Sequence, residues 1–220
     1  MSLKSPEHRR SLWRTLLFLL AASVLSANAQ AQESTPKIVV FGDSLSAAYR
    51  IPVEKGWVTL LAQRIEQAGL NYTVVNASIS GETTDGGLSR LPATLATHKP
   101  EILILELGGN DGLRGLPISN IRQNLEEMVT MGQASGALVV LAGIQIPPNY
   151  GPRYTEPFTR QFEEIASAMS LPFVPFLIDG IAQNPALMQE DGIHPVAEAQ
   201  EMVLDNVWPV LAPLLNEPKS

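Results

Sequence analysis

The sequence predicts an α/β fold, a parallel β-sheet covered by helices on both faces. Three observations carry this. Short apolar runs alternate with longer segments whose apolar residues recur at helical spacing, the pattern of right-handed βαβ units. One run, Ile102-Leu103-Ile104-Leu105, is apolar at consecutive positions, as a central strand buried on both faces requires. Chain turns leave the runs at Phe41-Gly42, Asn76-Ala77, Leu107-Gly108 and Ala142-Gly143, all at the carboxyl edge, where open α/β sheets bind ligands.

The first thirty or so residues stand apart from that pattern. Arg9, Arg10 and Arg14 form a basic stretch, and Leu16-Leu17-Phe18-Leu19-Leu20-Ala21-Ala22 follows. Ala27-Asn28-Ala29 and Ala29-Gln30-Ala31 both fit a small-x-small cleavage site. Residues 1–31 are therefore expected to be a signal peptide, cut after Ala31 or Ala29. The apolar run is shorter than the roughly 20 residues that span a bilayer, so no stable membrane anchor is expected. Residues 32–220 are expected to form a single domain.

The chain has 220 residues, no cysteine and a formal net charge of −7. Removing residues 1–31 leaves 11 basic and 21 acidic residues, a net charge of −10. Such a surface disfavours nucleic acid and anionic membranes. Without cysteine the domain must be stable without disulfides, and a thiol nucleophile or thiolate metal site is excluded.

Strands are expected over Ile38–Phe41, Thr73–Asn76, Ile102–Leu107, Leu138–Ala142 and Phe173–Pro175. Helical stripes run through Trp57, Leu60, Leu61, Ile65 and Ala68, through Ile118, Ile121, Leu125, Met128 and Val129, and through Phe158, Phe162, Ile165, Ala166 and Met169. Pro195 suits the first position of the last helix, and Pro209 should kink or stop that helix. Residues Glu82 to Leu88, with two glycines and little apolar content, read as a mobile loop.

Chemistry concentrates at the carboxyl edge. Ser44 follows the first strand in Phe41-Gly42-Asp43-Ser44-Leu45-Ser46. A serine at a helix start is exposed beside outward N–H groups that favour developing negative charge, although it also suits a helix cap. Only His98 and His194 are histidines outside residues 1–31. His98 precedes a strand, which places it in a turn at the opposite edge. His194 lies in Asp191-Gly192-Ile193-His194-Pro195, where a spacing of three lets the carboxylate fold back on the imidazole. The same segment also reads as an Asp-Gly turn with a surface histidine. Asn110, in Gly108-Gly109-Asn110-Asp111, has an amide donor suited to an oxyanion, or to an Asx turn. Gly81, in Ser78-Ile79-Ser80-Gly81-Glu82, can offer an unobstructed backbone N–H, and also reads as a generic glycine turn. Asp43 and Asp111 read as turn or hydrogen-bonding residues, and no metal site or phosphate loop is present in the pattern.

Four such elements in this order resemble the GDSL, or SGNH, hydrolases, with Ser44, Gly81, Asn110 and His194 in the signature positions. Within that family the blocks around Ser44, Val75–Gly81, Glu106–Gly115, Asn149–Gly151 and Met188–Pro195 resemble the periplasmic thioesterase I/lysophospholipase/protease I, or arylesterase, subgroup. The resemblance implies a three-layer α/β/α sandwich around a five-stranded, flavodoxin-like parallel sheet. It implies Ser44 as nucleophile, His194 as base, Asp191 as orienting acid, and an oxyanion hole from the N–H groups of Ser44 and Gly81 and the Asn110 side chain. It further implies export to the periplasm of a Gram-negative bacterium, or secretion, and cleavage of small acyl esters and thioesters: aryl esters, short- to medium-chain esters, acyl-CoA-like thioesters and lysophospholipids. No cofactor is expected, no nucleic-acid partner, and a monomer. A carbohydrate O-deacetylase with the same triad is the alternative, and a noncatalytic small-anion module a third reading. Ile146, Pro147 and Tyr150, on a proline-stiffened loop at the same edge, are expected to wall the acyl groove.

Overall fold

The computed structural model describes residues 35–215; the expected signal segment and its cleavage sites lie outside the described residues. Five parallel strands form one sheet: β1 (Lys37–Gly42), β2 (Thr73–Asn76), β3 (Ile102–Glu106), β4 (Leu138–Ala142) and β5 (Phe173–Val174), in the order β2-β1-β3-β4-β5. Val39 pairs with Val75 on one side and Leu103 on the other, so β1 lies inside the sheet. The strand order reverses direction between β1 and β3. Their carboxyl ends therefore part around a crevice, as in flavodoxin-like sheets.

Alternate residues of the strands feed two cores. Ile38, Val40, Ile102, Ile104, Val140 and Val174 face α1 (Trp57–Gln67) and α6 (Gln200–Leu211). Val39, Phe41, Leu103, Leu105, Val139 and Leu141 face α2 (Thr84–His98), α4 (Ile118–Ala134) and α5 (Pro152–Ala168). This is the expected three-layer sandwich. Burying each of these side chains contributes about 1.5–3 kcal/mol. A short helix, α3 (Gly109–Leu113), follows β3.

Four local expectations change. Residues 44–50 form a run of turns, not a helix, because Ala48 and Arg50 take left-handed φ values of 54° and 56°. The segment after Gly81 is not a mobile loop. Thr83 caps α2 by accepting from the Gly86 N–H, and Gly87 is there for close packing: a Cβ on it would meet Leu107 at 2.4 Å. His98 ends α2, at the amino edge as expected, before a left-handed Lys99 closes the helix. At the carboxyl terminus Pro195 pairs in an isolated bridge with Met188, and a 3-10 turn at Ala197–Ala199 precedes α6. That helix continues through Pro209 to Leu211, because Val207 and Leu211 are buried and hold it on the sheet.

Candidate active site

Ser44 leaves β1 on a turn closed by the Ala47 N–H on the Asp43 carbonyl at 3.0 Å. His194 arrives from the other end of the chain and puts Nε2 2.8 Å from Ser44 Oγ. Its Nδ1 lies 2.8 Å from Asp191 Oδ2. The other Asp191 oxygen accepts the N–H groups of Ile193 and His194, at 2.9 and 3.0 Å, so one carboxylate fixes both the ring and the backbone that carries it. Burial opposes ionisation of Asp191, but the Ile193 N–H, the His194 ring and the His194 N–H outweigh it and hold the carboxyl below its ordinary value. The arrangement can pass a proton from a hydroxyl to an imidazole held in one orientation.

Two residues that sequence reasoning missed set this loop. The Tyr49 ring lies against the His194 ring, centroids 4.4 Å apart. Gln189 donates its side-chain amide to the carbonyls of Tyr49 and Pro195, both at 3.0 Å, and its N–H to the His194 carbonyl at 2.7 Å. Neither residue type carries a local signal for such a role.

Asn110, in the first turn of α3, donates Nδ2 to Asp43 Oδ2 at 2.9 Å, while Asp43 Oδ1 accepts the Leu45 N–H at 3.0 Å. Asp43 is buried, and desolvation pushes its carboxyl up to about 6 against these donors. Gly81 stands on an exposed loop with φ 83°, and its carbonyl accepts from Arg114 Nη2 at 3.3 Å. That loop is fastened at both ends by Arg90, which donates Nη1 to the Ala77 carbonyl and Nε to Glu82, both at 2.8 Å, while lying over the Phe41 ring.

Ser44, Asn110 and His194 open into a cleft of about 820 Å³. Ile146 and Pro147 are among its lining residues. Tyr150, on the same loop, donates its hydroxyl at 2.7 Å to the carbonyl of Leu113, one of the lining residues. The opposite wall, Phe176, Leu177, Ile178, Ala182 and Met188, comes from the chain after β5 and was not anticipated. Its signal was the apolar run past Phe173, which reads equally well as core. Gly81 and Asp191 lie outside the lining.

A model of the GDSL-like Lipase/Acylhydrolase family matches residues 40–202, which span Ser44, Gly81, Asn110 and His194. The chain belongs to this family. Among its members, Esterase TesA of Pseudomonas aeruginosa is 50% identical over 196 residues, covering 89% of this chain and 96% of the relative. Thioesterase 1/protease 1/lysophospholipase L1 of Escherichia coli K12 is 40% identical, covering 81% and 85%. A crystal structure of TesA superposes with a TM-score of 0.79 at 50% identity, covering 81% of this chain and 99% of the other. As a GDSL-like acylhydrolase the chain is an ester-hydrolysing enzyme of α/β architecture, and the three-layer sandwich described above is the family's fold.

Proposed function

We propose that this protein is an exported serine acyl hydrolase that forms an acyl-enzyme on Ser44. The reading is carried by the unbroken contacts from Ser44 Oγ through His194 to Asp191, each at 2.8 Å, with Ser44 and His194 opening into a cleft lined in part by apolar residues. His194 Nε2 takes the Ser44 proton as Oγ attacks the acyl carbonyl, and Asp191 stabilises the imidazolium. The tetrahedral oxyanion is received by the N–H groups of Ser44 and Gly81 and by Asn110 Nδ2. One hydrogen of that amide is engaged by Asp43, which leaves the second for the substrate. His194 then protonates the departing alcohol or thiol. Water, activated by the same imidazole, attacks the ester on Ser44 and releases the acid.

The substrates we assign are aryl esters, short- to medium-chain acyl esters, acyl-CoA-like thioesters and lysophospholipids, in keeping with relatives named esterase, arylesterase and thioesterase/lysophospholipase. Residues 1–31 serve as the signal peptide and 32–220 as the acting domain, a periplasmic monomer. No helix among the described residues is long and apolar enough to cross a membrane.

The deciding experiment is turnover of a chromogenic aryl ester with and without an active-serine phosphonate. Inhibition with phosphonate mass on Ser44 is expected. Undiminished turnover, or turnover by Ser44→Ala, rejects Ser44 as nucleophile. A panel of acetylated sugars against acyl chains separates this function from a carbohydrate deacetylase. Mass analysis of the exported protein should give an amino terminus at Gln32 or Gln30.

A further inference from the structure

Glu106 is an acid where the fold calls for a hydrocarbon. It is the last residue of β3, it is fully buried, and every other residue of that strand is apolar. The mechanism above does not use it. Yet its Oε2 receives two donors from the nucleophile turn: the backbone N–H of Asp43 at 3.2 Å and the Ser46 hydroxyl at 2.7 Å. These residues stand on either side of Ser44. The approach is close: a Cβ at position 42 would lie 2.5 Å from the same oxygen, so a side chain there would have to displace the carboxyl. The Ser46 carbonyl is held from another direction by Asn76 Nδ2 at 2.8 Å.

We infer that Glu106 is a positioning residue for the nucleophile: by accepting from both flanks of Ser44 it fixes the turn that aims Oγ at His194. The inference rests on Ser44 being the nucleophile. The physical case is one of necessity on both sides. The turn does not propagate into a helix, so no ladder of helical hydrogen bonds holds it. A leucine at 106 would fill the space but leave a buried N–H and a buried hydroxyl without an acceptor, and those groups would pull the turn toward another partner. A misplacement of about 1 Å at a reacting atom is enough to lose on the order of 10²-fold in rate. Burial, with the Asp43 charge adding to it, pushes the Glu106 carboxyl well above the ordinary range. Both contacts ask only for an acceptor oxygen at the Oε2 position, which the amide oxygen of a glutamine can supply.

The test compares Glu106→Gln and Glu106→Leu in the full protein, by steady-state kinetics on an aryl ester, by the rate of phosphonate labelling at Ser44, and by Tm. Glu106→Gln should keep kcat within about threefold of the parent. Glu106→Leu should lose kcat and labelling rate by about tenfold or more, with KM little changed and the fold retained. Normal kcat in Glu106→Leu overturns the inference. So does a loss confined to KM, and so does equal impairment in Glu106→Gln. If Glu106→Leu does not fold, Ser46→Ala removes one of the two donors; a smaller loss in kcat at constant KM is then expected, and unchanged kcat overturns the proposal. Phosphonate labelling of Ser44→Ala keeps the two ideas apart, since a label retained there rejects the nucleophile itself and not the brace.

Discussion

Thr84 gives its backbone N–H and its hydroxyl to the two oxygens of Asp111, at 2.9 and 2.7 Å, with both residues buried. Thr84 lies three residues past Gly81, and Asp111 follows Asn110. This clasp therefore joins the two chain segments from which we expect the oxyanion donors, and Asn124 Nδ2 supports it at 3.1 Å on the Thr84 hydroxyl. Thr84→Val keeps the shape and removes the hydroxyl donor. It should lower stability by about 1–3 kcal/mol, the cost of a buried acceptor left unpaired, and lower kcat as well. A fall in Tm with kcat unchanged would limit the clasp to folding.

Ser44→Ala and His194→Ala should each abolish most turnover, and the double variant should be little worse, because the pair acts as a unit. Asp191→Asn tests the third member. A fully buried orienting carboxylate is worth roughly 10⁴-fold in kcat. The Asp191 side chain is 27% exposed, so solvent screens it and the loss should be smaller. Additive effects of Ser44 and His194 in single-turnover kinetics would contradict a shared proton transfer.

Asn110→Ala should reduce kcat by about 10²–10³, roughly 3–4 kcal/mol, with KM less affected. It also strips Asp43 of a donor that favours its ionised form, so the Asp43 carboxyl should titrate higher than about 6. A rise in KM at constant kcat would make Asn110 a ground-state contact.

The buried acids set a pH dependence of stability. Unfolded, both carboxyls release their protons near pH 4. Folded, Asp43 keeps its proton to about 6, and burial beside Asp43 likewise raises the Glu106 carboxyl above its ordinary value. The native state thus binds more protons than the unfolded state in that window, and stability falls as pH rises through it. Glu106→Gln removes one of these groups. Its Tm advantage over the parent should grow from pH 4 to pH 7; a constant difference would mean that Glu106 is ionised in the folded protein. Asp191, held below its ordinary value, acts in the opposite sense: its contribution is present above about pH 4 and lost as pH falls through its folded value.

Substrate length should be read by Ile146 and Pro147. Each buried methylene is worth about 0.8 kcal/mol, so kcat/KM should climb with acyl length until the cleft is full. Ile146→Ser should flatten the climb and spare acetyl esters. Tyr150→Phe should leave the length profile intact and cost only the hydrogen bond to Leu113, about 1 kcal/mol, visible in Tm. Equal losses for long and short chains with Ile146→Ser would remove that wall from the assignment.

The sequence by itself determined the order of the five strands, the central strand at Ile102–Leu105, and the four short segments that carry Ser44, Gly81, Asn110 and His194. Those are local properties: the period of apolar residues, the turn chemistry of Gly-Asp and Asn-Asp, and a carboxylate three residues before a histidine. The tertiary structure decided what depends on partners distant in the chain. Glycines 86 and 87 looked like flexibility until Leu107 and Glu82 were seen to crowd them within a capped helix. The hydroxyl of Tyr150 finds its acceptor at Leu113, 37 residues away. Glu106 stood in the recognised block as one more letter, and only the meeting of β1 with β3 put its carboxyl under Asp43 and Ser46, 63 and 60 residues away. Hydrophobic periodicity encodes which face a residue presents, because the backbone repeat is fixed. It does not encode which donor a buried oxygen meets, because that is set by the crossing of strands that the chain brings together only when folded.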